Sequence, residues 1–261
     1  MDIKFFRQIG KKIFKEISER KPYLNLTPLG RGASGDITFQ VDRVAEDIII
    51  QSIKSAGLNC NIITEEGGST LVQGKNSTII IDPIDGSKNA ISGIPFFSTS
   101  IALADGDCLD SLQMGYIINL VNADEFWAIK GKGAYMNGAK IKTCTEQKPM
   151  VIAFECSNPD IDLLKISPLF KFAHRVRCFG STALDLAYFS SGAMSIFIIP
   201  SFSRIFDFSA GVLIAKEAGA VLSDINGNFI EGLPVEFKTK TTLVACADTE
   251  IQKKVLKLLQ K

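Results

Sequence analysis

The chain is predicted to be a mixed α and β protein made of two unlike halves, α+β over residues 1–145 and α/β over 146–261, packed as one compact unit. Three observations predict it. The N-terminal stretch places apolar residues at helical spacing, and Asn61 to Leu120 is dominated by short β-branched runs bounded by Gly, Asp or Asn. From Met150 onward, strand-like and helix-like segments alternate. No Pro/Ser-rich linker divides the halves, and 261 residues suit one domain or two.

Taken in order, Ile3, Phe6, Ile9, Ile13 and Ile17 predict a first helix, with Pro22 after its end. Val44, Ala45, Ile48, Ile49 and Ile53 predict a second from about Val41 to Ala56, stopped by Gly57. Residues 28–36, PLGRGASGD, read as a glycine-rich, mobile loop. Ile62-Ile63, Thr78–Ile81 and Ser98–Ala104 read as strands, and Asp105-Gly106-Asp107 and Gly131-Lys132-Gly133 as hairpin turns. The second half reads as strand 150–155, helix 160–171, strand 175–178, helix 181–191 and strand 194–199. Helix 207–218, strands 220–224 and 241–246, and helix 249–260 complete it.

The net charge of +1 leaves no basic surplus for displacing counterions, which argues against a nucleic-acid or acidic-membrane binder. No apolar run approaches the roughly 20 residues that span a bilayer. The charged N-terminus lacks the apolar core of a signal peptide, so a cytoplasmic protein is expected. Cys60, Cys108, Cys144, Cys156, Cys178 and Cys246 form no C-x-x-C pair and read as small buried hydrophobes rather than zinc ligands. His174, the only histidine, lies far from every motif and reads as structural, which argues against a phosphohistidine. No cysteine sits in a C-x₅-R loop.

The chemistry concentrates in acids at element ends. The apolar run Thr78–Ile81 stops at Asp82, Pro83 is not expected to extend a ladder, and the chain is expected to turn through Asp85-Gly86. Asp82 and Asp85, three residues apart, are placed to share a hard cation with the Ile84 carbonyl, an oxygen-only set that suits Mg²⁺ or Mn²⁺. Gly86-Ser87 adds backbone N–H groups and a hydroxyl suited to a phosphate oxygen. Glu65-Glu66-Gly67 ends another apolar run, and Asp207 precedes the apolar helix Gly211–Ala218. Each feature has a plainer reading: an Asx-type turn, a solvated strand end, a helix cap. Together, three acidic termini match what a two-metal phosphate site requires.

These residues resemble the inositol monophosphatase / fructose-1,6-bisphosphatase superfamily, with its E-E, D-P-[IL]-D-G-[ST]-x-N and W-D-x-A-[AG] signatures. The chain reads Glu65-Glu66-Gly67, then Asp82-Pro-Ile-Asp-Gly-Ser-Lys-Asn89, then Phe206-Asp207-Phe-Ser-Ala-Gly211. Gly131–Gly138 is similar to the family's G-x-G-A-x-x-N-G hairpin, and Glu217–Asp224 to its E-A-G-G-x-[VIL]-x-D. The short N-terminus and Gly93–Ser98 look most like archaeal dual-activity members.

The resemblance implies a layered αβαβα sandwich and a Mg²⁺-dependent phosphomonoesterase acting on inositol 1-phosphate and/or fructose 1,6-bisphosphate through a metal-activated water. It implies two to three Mg²⁺ ions, Mn²⁺ being a substitute, held by Glu65, Asp82, the Ile84 carbonyl, Asp85 and Asp207. Glu65 and Ser87 would orient the attacking water, and the Gly86 and Ser87 amides would hold phosphate. Asp42 would touch a third metal or its water, while Asp85, Gly180, Ser181, Thr182 and Arg204 would meet the substrate. A homodimer acting on a small phosphorylated polyol or sugar is the family expectation.

Four departures stand out. Phe206 replaces the usual Trp, Lys88 adds positive charge near the phosphate, and Arg204 is placed for a second phosphate or a sugar. Pro200 stands where inositol-selective members carry an acid seven positions before the last aspartate, which argues against strict inositol selectivity. Two alternatives stay open: a nucleotide 3′-phosphate or NADP phosphatase of the same superfamily, and a non-catalytic regulatory binding protein that keeps the fold.

Overall fold

A computed structural model describes residues 1–20, 28–144 and 150–260; Pro22, read as following the first helix, lies outside them. The amphipathic helices α1 (Ile3–Arg20) and α2 (Gln40–Ser55) appear as the spacing requires, and Gly57 follows α2. The stretch read as a mobile loop forms a ribbon instead, β1 (Gly30–Arg31) against β2 (Ile37–Thr38). Its tip is tied down by the amides of Ala33 and Ser34, which donate to the carbonyls of Glu66 (2.9 Å) and Glu65 (3.1 Å).

An eight-stranded sheet follows: β3 (Asn61–Thr64), β4 (Gly68–Thr70), β5 (Ser77–Asp85), β6 (Ser98–Asp105), β7 (Leu112–Asn119), β8 (Glu125–Ile129), β9 (Gly133–Met136) and β10 (Ala139–Ile141). Its order is β10-β9-β8-β7-β6-β5-β3-β4, and the short helix α3 (Ser87–Ser92) links β5 to β6. The strand expected to stop at Ile81 runs on to Asp85. Between Asp82↔Ser100 and Asp85↔Ser98, β5 spends one residue more than β6, a bulge that accommodates Pro83. The Thr99 hydroxyl donates to the Pro83 carbonyl there at 2.7 Å.

The remaining chain forms β11 (Val151–Phe154), α4 (Pro159–Ile166), β12 (Arg175–Arg177), α5 (Thr182–Ser190), β13 (Ile196–Arg204), α6 (Ile205–Glu217), β14 (Val221–Ser223), β15 (Lys240–Cys246) and α7 (Thr249–Leu259). The helix expected over 160–171 splits, Ser167–Lys171 tightening into a 3₁₀ turn at Pro168, which has no N–H to continue an α-helix. β13 outruns its expected end at Ile199, because a register shift between Ile199 and Ser203 absorbs Pro200. These strands form a second sheet of order β12-β11-β13-β15-β14.

Strand alternation then dictates the layering. Ile79 and Ile81 pack with α1 and α2, whereas Ile80 faces the opposite core with α5 and α6. On the second sheet Phe197, Ile199, Leu243 and Ala245 close that same core. Ile196, Ile198, Val244 and Cys246 turn away to cover α4 and α7. The result is an αβαβα sandwich with α5 and α6 as its central layer. The two central helices approach so closely that a Cβ on Gly211 would sit 2.6 Å from the Leu186 side chain, so only glycine fits. Cys60 and Cys246 are buried as expected, but Cys178 is exposed beyond the last residue of β12, the outermost strand of the second sheet. Among the described residues, no helix is long and apolar enough to cross a membrane.

Candidate active site

Carboxylates meet where β3 and β5 end and α6 begins. Glu65 follows β3, Asp82 and Asp85 flank the β5 bulge, and Asp207 lies in the first turn of α6, carried there by the long β13. All four line one cleft of about 530 Å³. Ile84, Gly86, Ser87 and Lys88 line the same cleft from the β5–α3 junction, and Gly180, Thr182 and Arg204 from the second half of the chain. Gly86 holds φ +89°, a left-handed turn that lets α3 begin directly under the cleft.

Two expected residues stand behind this wall. The Asp42 Oδ2 accepts from the Phe39 amide (2.6 Å) and its Oδ1 from the Ser87 hydroxyl (2.6 Å), so one side chain caps α2 and fixes Ser87. The same hydroxyl lies 2.7 Å from the Ile84 carbonyl. Ser181 donates to Asp85 Oδ2 at 2.5 Å, joined by the Ala183 amide at 2.7 Å. Asp207 repeats the Asp42 pattern, its Oδ2 accepting from the Arg204 amide (2.9 Å) and the Ser203 hydroxyl (2.6 Å). The helix cap and the cleft acid are therefore one residue.

Arg204 is the cation at the centre. Its guanidinium reaches Asp36 (2.5 Å), Glu65 (3.2 Å) and Asp207 (3.6 Å) and lies 4.9 Å from the centre of the Phe206 ring. Arg204, with Arg31 and Lys88 also lining the cleft, does not balance the acids of the wall. Burial, reinforced by neighbouring carboxylates, pushes Glu65 and Asp82 well above the usual range, with Arg204 opposing. Burial likewise pushes Asp85 and Asp42 up to about 7, against the hydrogen bonds from Ser181 and Ala183 in one case and from Ser87 and Phe39 in the other.

As placed among the described residues, no three His, Cys, Asp or Glu side chains close around a single point. The fit to a hard divalent cation rests on chemistry: the donors are all oxygen, their charge exceeds that of Arg204, and Asp82 Oδ1 is buried without a hydrogen-bond partner. Sequence reasoning missed Asp36 and Glu155, which also line the cleft. Asp36 stands in the segment leading to Asp42 but was not singled out, Glu155 belongs to no motif, and the packing of the ribbon and of β11 brings both in.

The whole chain, residues 1–261, matches the model of the inositol monophosphatase family. A Methanothermobacter thermautotrophicus protein named fructose-1,6-bisphosphatase/inositol-1-monophosphatase is 32% identical over 88% of this chain and 85% of its own length. A bifunctional NADP phosphatase/NAD kinase from Methanococcus maripaludis is 32% identical over 86% of this chain, which spans 43% of that longer protein. Among solved structures, an inositol monophosphatase-fructose 1,6 bisphosphatase superposes with a TM-score of 0.85 at 32% identity, covering 99% of this chain and 100% of that one.

Proposed function

The chain belongs to the inositol monophosphatase family, whose members are phosphoric monoester hydrolases, and from that premise we propose that it is a Mg²⁺-dependent phosphatase of small sugar or polyol phosphates, inositol 1-phosphate and fructose 1,6-bisphosphate first among them. The observation that carries this reading is the meeting of Glu65, Asp82, Asp85 and Asp207 on one wall of a cleft that Gly86 and Ser87 also line.

Glu65, Asp82, the Ile84 carbonyl, Asp85 and Asp207 would hold two to three Mg²⁺ ions, with Mn²⁺ as substitute. When bound, the ions acidify a water and neutralise charge on the phosphoryl and leaving oxygens. The chain's own residues do the rest. Ser87, held by Asp42, presents its free lone pairs to the attacking water and accepts a hydrogen bond from it. Glu65 would orient the same water from the β3 side. The Gly86 and Ser87 amides and the Lys88 ammonium receive the phosphoryl oxygens. Gly180, Ser181, Thr182 and Arg204 shape the leaving-group side. A protein nucleophile is not needed: His174 is exposed and does not line the cleft.

The competing substrate is NADP, favoured by the name of the bifunctional relative, or a nucleotide 3′-phosphate. A non-catalytic binding role fits poorly with a complete acid set. Phosphate release from a panel of inositol 1-phosphate, fructose 1,6-bisphosphate, NADP and adenosine 3′-phosphate, with and without Mg²⁺, tests the reading. Release from a polyol or sugar ester only in the presence of Mg²⁺ is expected. No release from any ester at any Mg²⁺ concentration would defeat it.

A further inference from the structure

Glu155 takes no part in the chemistry above, yet it lines the same cleft. It follows β11, and its amide donates to the Ile198 carbonyl of β13 at 2.9 Å, so the five-stranded sheet fixes its backbone. Its side chain reaches the cleft alongside Lys88, Ser157 and Thr182. Its Oε2 is sealed from solvent without a hydrogen-bond partner, which leaves Oε1 as the oxygen open to the cleft. Behind it Asp185 of α5 is fully buried, with both carboxyl oxygens equally unpartnered.

Such groups weaken a fold. A buried acceptor without a donor forfeits its hydration, and a second acid beside it compounds the loss. Residues that break this rule are kept for what they bind. When ionised, this carboxyl is an acceptor only, so its partner must then be a donor, and Ser157 and Thr182 beside it offer hydroxyls that both give and take. That wall matches a leaving group bearing several hydroxyls. It does not match a nucleobase, which needs a flat apolar platform: among the described residues, Phe39 is the one aromatic ring lining the cleft. A carboxylate there also repels additional phosphates close to the ester.

We propose that Glu155 is a specificity-determining residue that accepts a hydrogen bond from a hydroxyl of the leaving group, selecting polyhydroxylated phosphomonoesters over plain ones. The inference rests on the reading of this cleft as a phosphomonoesterase site. It does not depend on which sugar or polyol is the natural substrate.

The test compares wild type, Glu155→Ala and Glu155→Gln on two kinds of ester in saturating Mg²⁺. One is whichever of inositol 1-phosphate and fructose 1,6-bisphosphate the wild type turns over faster; the other is 4-nitrophenyl phosphate, which has no hydroxyl. Glu155→Ala is expected to lose about 10²-fold in kcat/KM on the polyol ester, chiefly through KM, and to change less than about twofold on 4-nitrophenyl phosphate. Glu155→Gln, which retains one acceptor, should recover part of the loss. Thermal melts of both variants should lie at or above the wild type, because a buried carboxyl oxygen without a donor has been removed. Equal losses on both esters, or no loss on the polyol ester, would overturn the inference while leaving the phosphatase reading intact. A wild type that hydrolyses neither ester would overturn both.

Discussion

Two carboxylate sites in this molecule, one a single acid and one a cluster, each lean on an arginine, and they differ in how fully it answers them. Between α1 and the eight-stranded sheet, Glu125 Oε2 accepts from Arg7 at 2.8 Å and its Oε1 accepts from the Tyr116 hydroxyl at 2.9 Å. One acid meets Arg7, with Lys11 4.0 Å away, and each oxygen has a donor. At the cleft, Arg204 pairs with Glu65 and Asp207 and is shared with Asp36, Asp85 is held by the neutral donors Ser181 and Ala183, and Asp82 Oδ1 has no partner. A closed network stabilises a fold, whereas an open one is stabilised by a ligand of opposite charge. The difference separates a structural ion pair from a reaction centre.

The sharpest way to break that contrast is to neutralise one acid at each site. Glu65→Gln is expected to lower kcat by about 10³-fold, since it removes a water-orienting acceptor, with the melting temperature unchanged or raised. Steady-state phosphate release and a thermal melt read both quantities, and near-normal turnover would remove Glu65 from the site. Glu125→Ala should do the reverse. It strands the Arg7 guanidinium and the Tyr116 hydroxyl, at a cost of about 2–3 kcal/mol given that Arg7 is partly exposed, or roughly 5–10 °C in melting temperature. Its kcat/KM should stay within about twofold of wild type.

A pH series sharpens the same comparison. Asp42 and Asp85 keep their protons up to about pH 7 in the folded chain, because burial raises both. In the unfolded chain they release them near 4. The folded state therefore binds more protons between those values, so this stability is full below about pH 4 and is lost as pH rises through 7. Melts in EDTA should fall by about 5 °C or more across that window. Saturating Mg²⁺ should flatten the fall, because it stabilises the ionised carboxylates. A slope that Mg²⁺ leaves unaltered would dissociate these acids from metal binding.

The smallest effect expected is at Arg204. Its guanidinium competes with a cation for Glu65 and Asp207, so Arg204→Met should tighten Mg²⁺ binding several-fold in titration calorimetry. Weaker binding would instead make Arg204 a support for those acids.

Much of this was legible in the sequence because it is periodic or local. The 3.6-residue spacing of α1 and α2 and the acids at the ends of β3, β5 and α6 are written in contiguous residues. Three things were not. β5 passes through Pro83 because a bulge and the Thr99 hydroxyl on the neighbouring strand make room for it, and neither signal lies in the Asp82–Ser87 segment. The Arg204–Asp36 ion pair joins residues 168 positions apart, through a ribbon whose glycines read as flexibility. Glu155 sits in no motif, and only the pairing of β11 with β13 brings it to the cleft wall. Local pattern reveals which acids matter; tertiary pairing decides what else surrounds them.

The most direct test of the central claim is a paired Mg²⁺ titration of wild type and Asp85→Asn, following phosphate release from inositol 1-phosphate and fructose 1,6-bisphosphate together with heat of ion binding. The wild type is expected to release phosphate only when Mg²⁺ is present. Asp85→Asn should melt at or above the wild-type temperature, bind Mg²⁺ at least tenfold more weakly and release no measurable phosphate. Equal release in EDTA, or an Asp85→Asn variant that turns over like wild type, would contradict a metal-dependent centre built on these carboxylates.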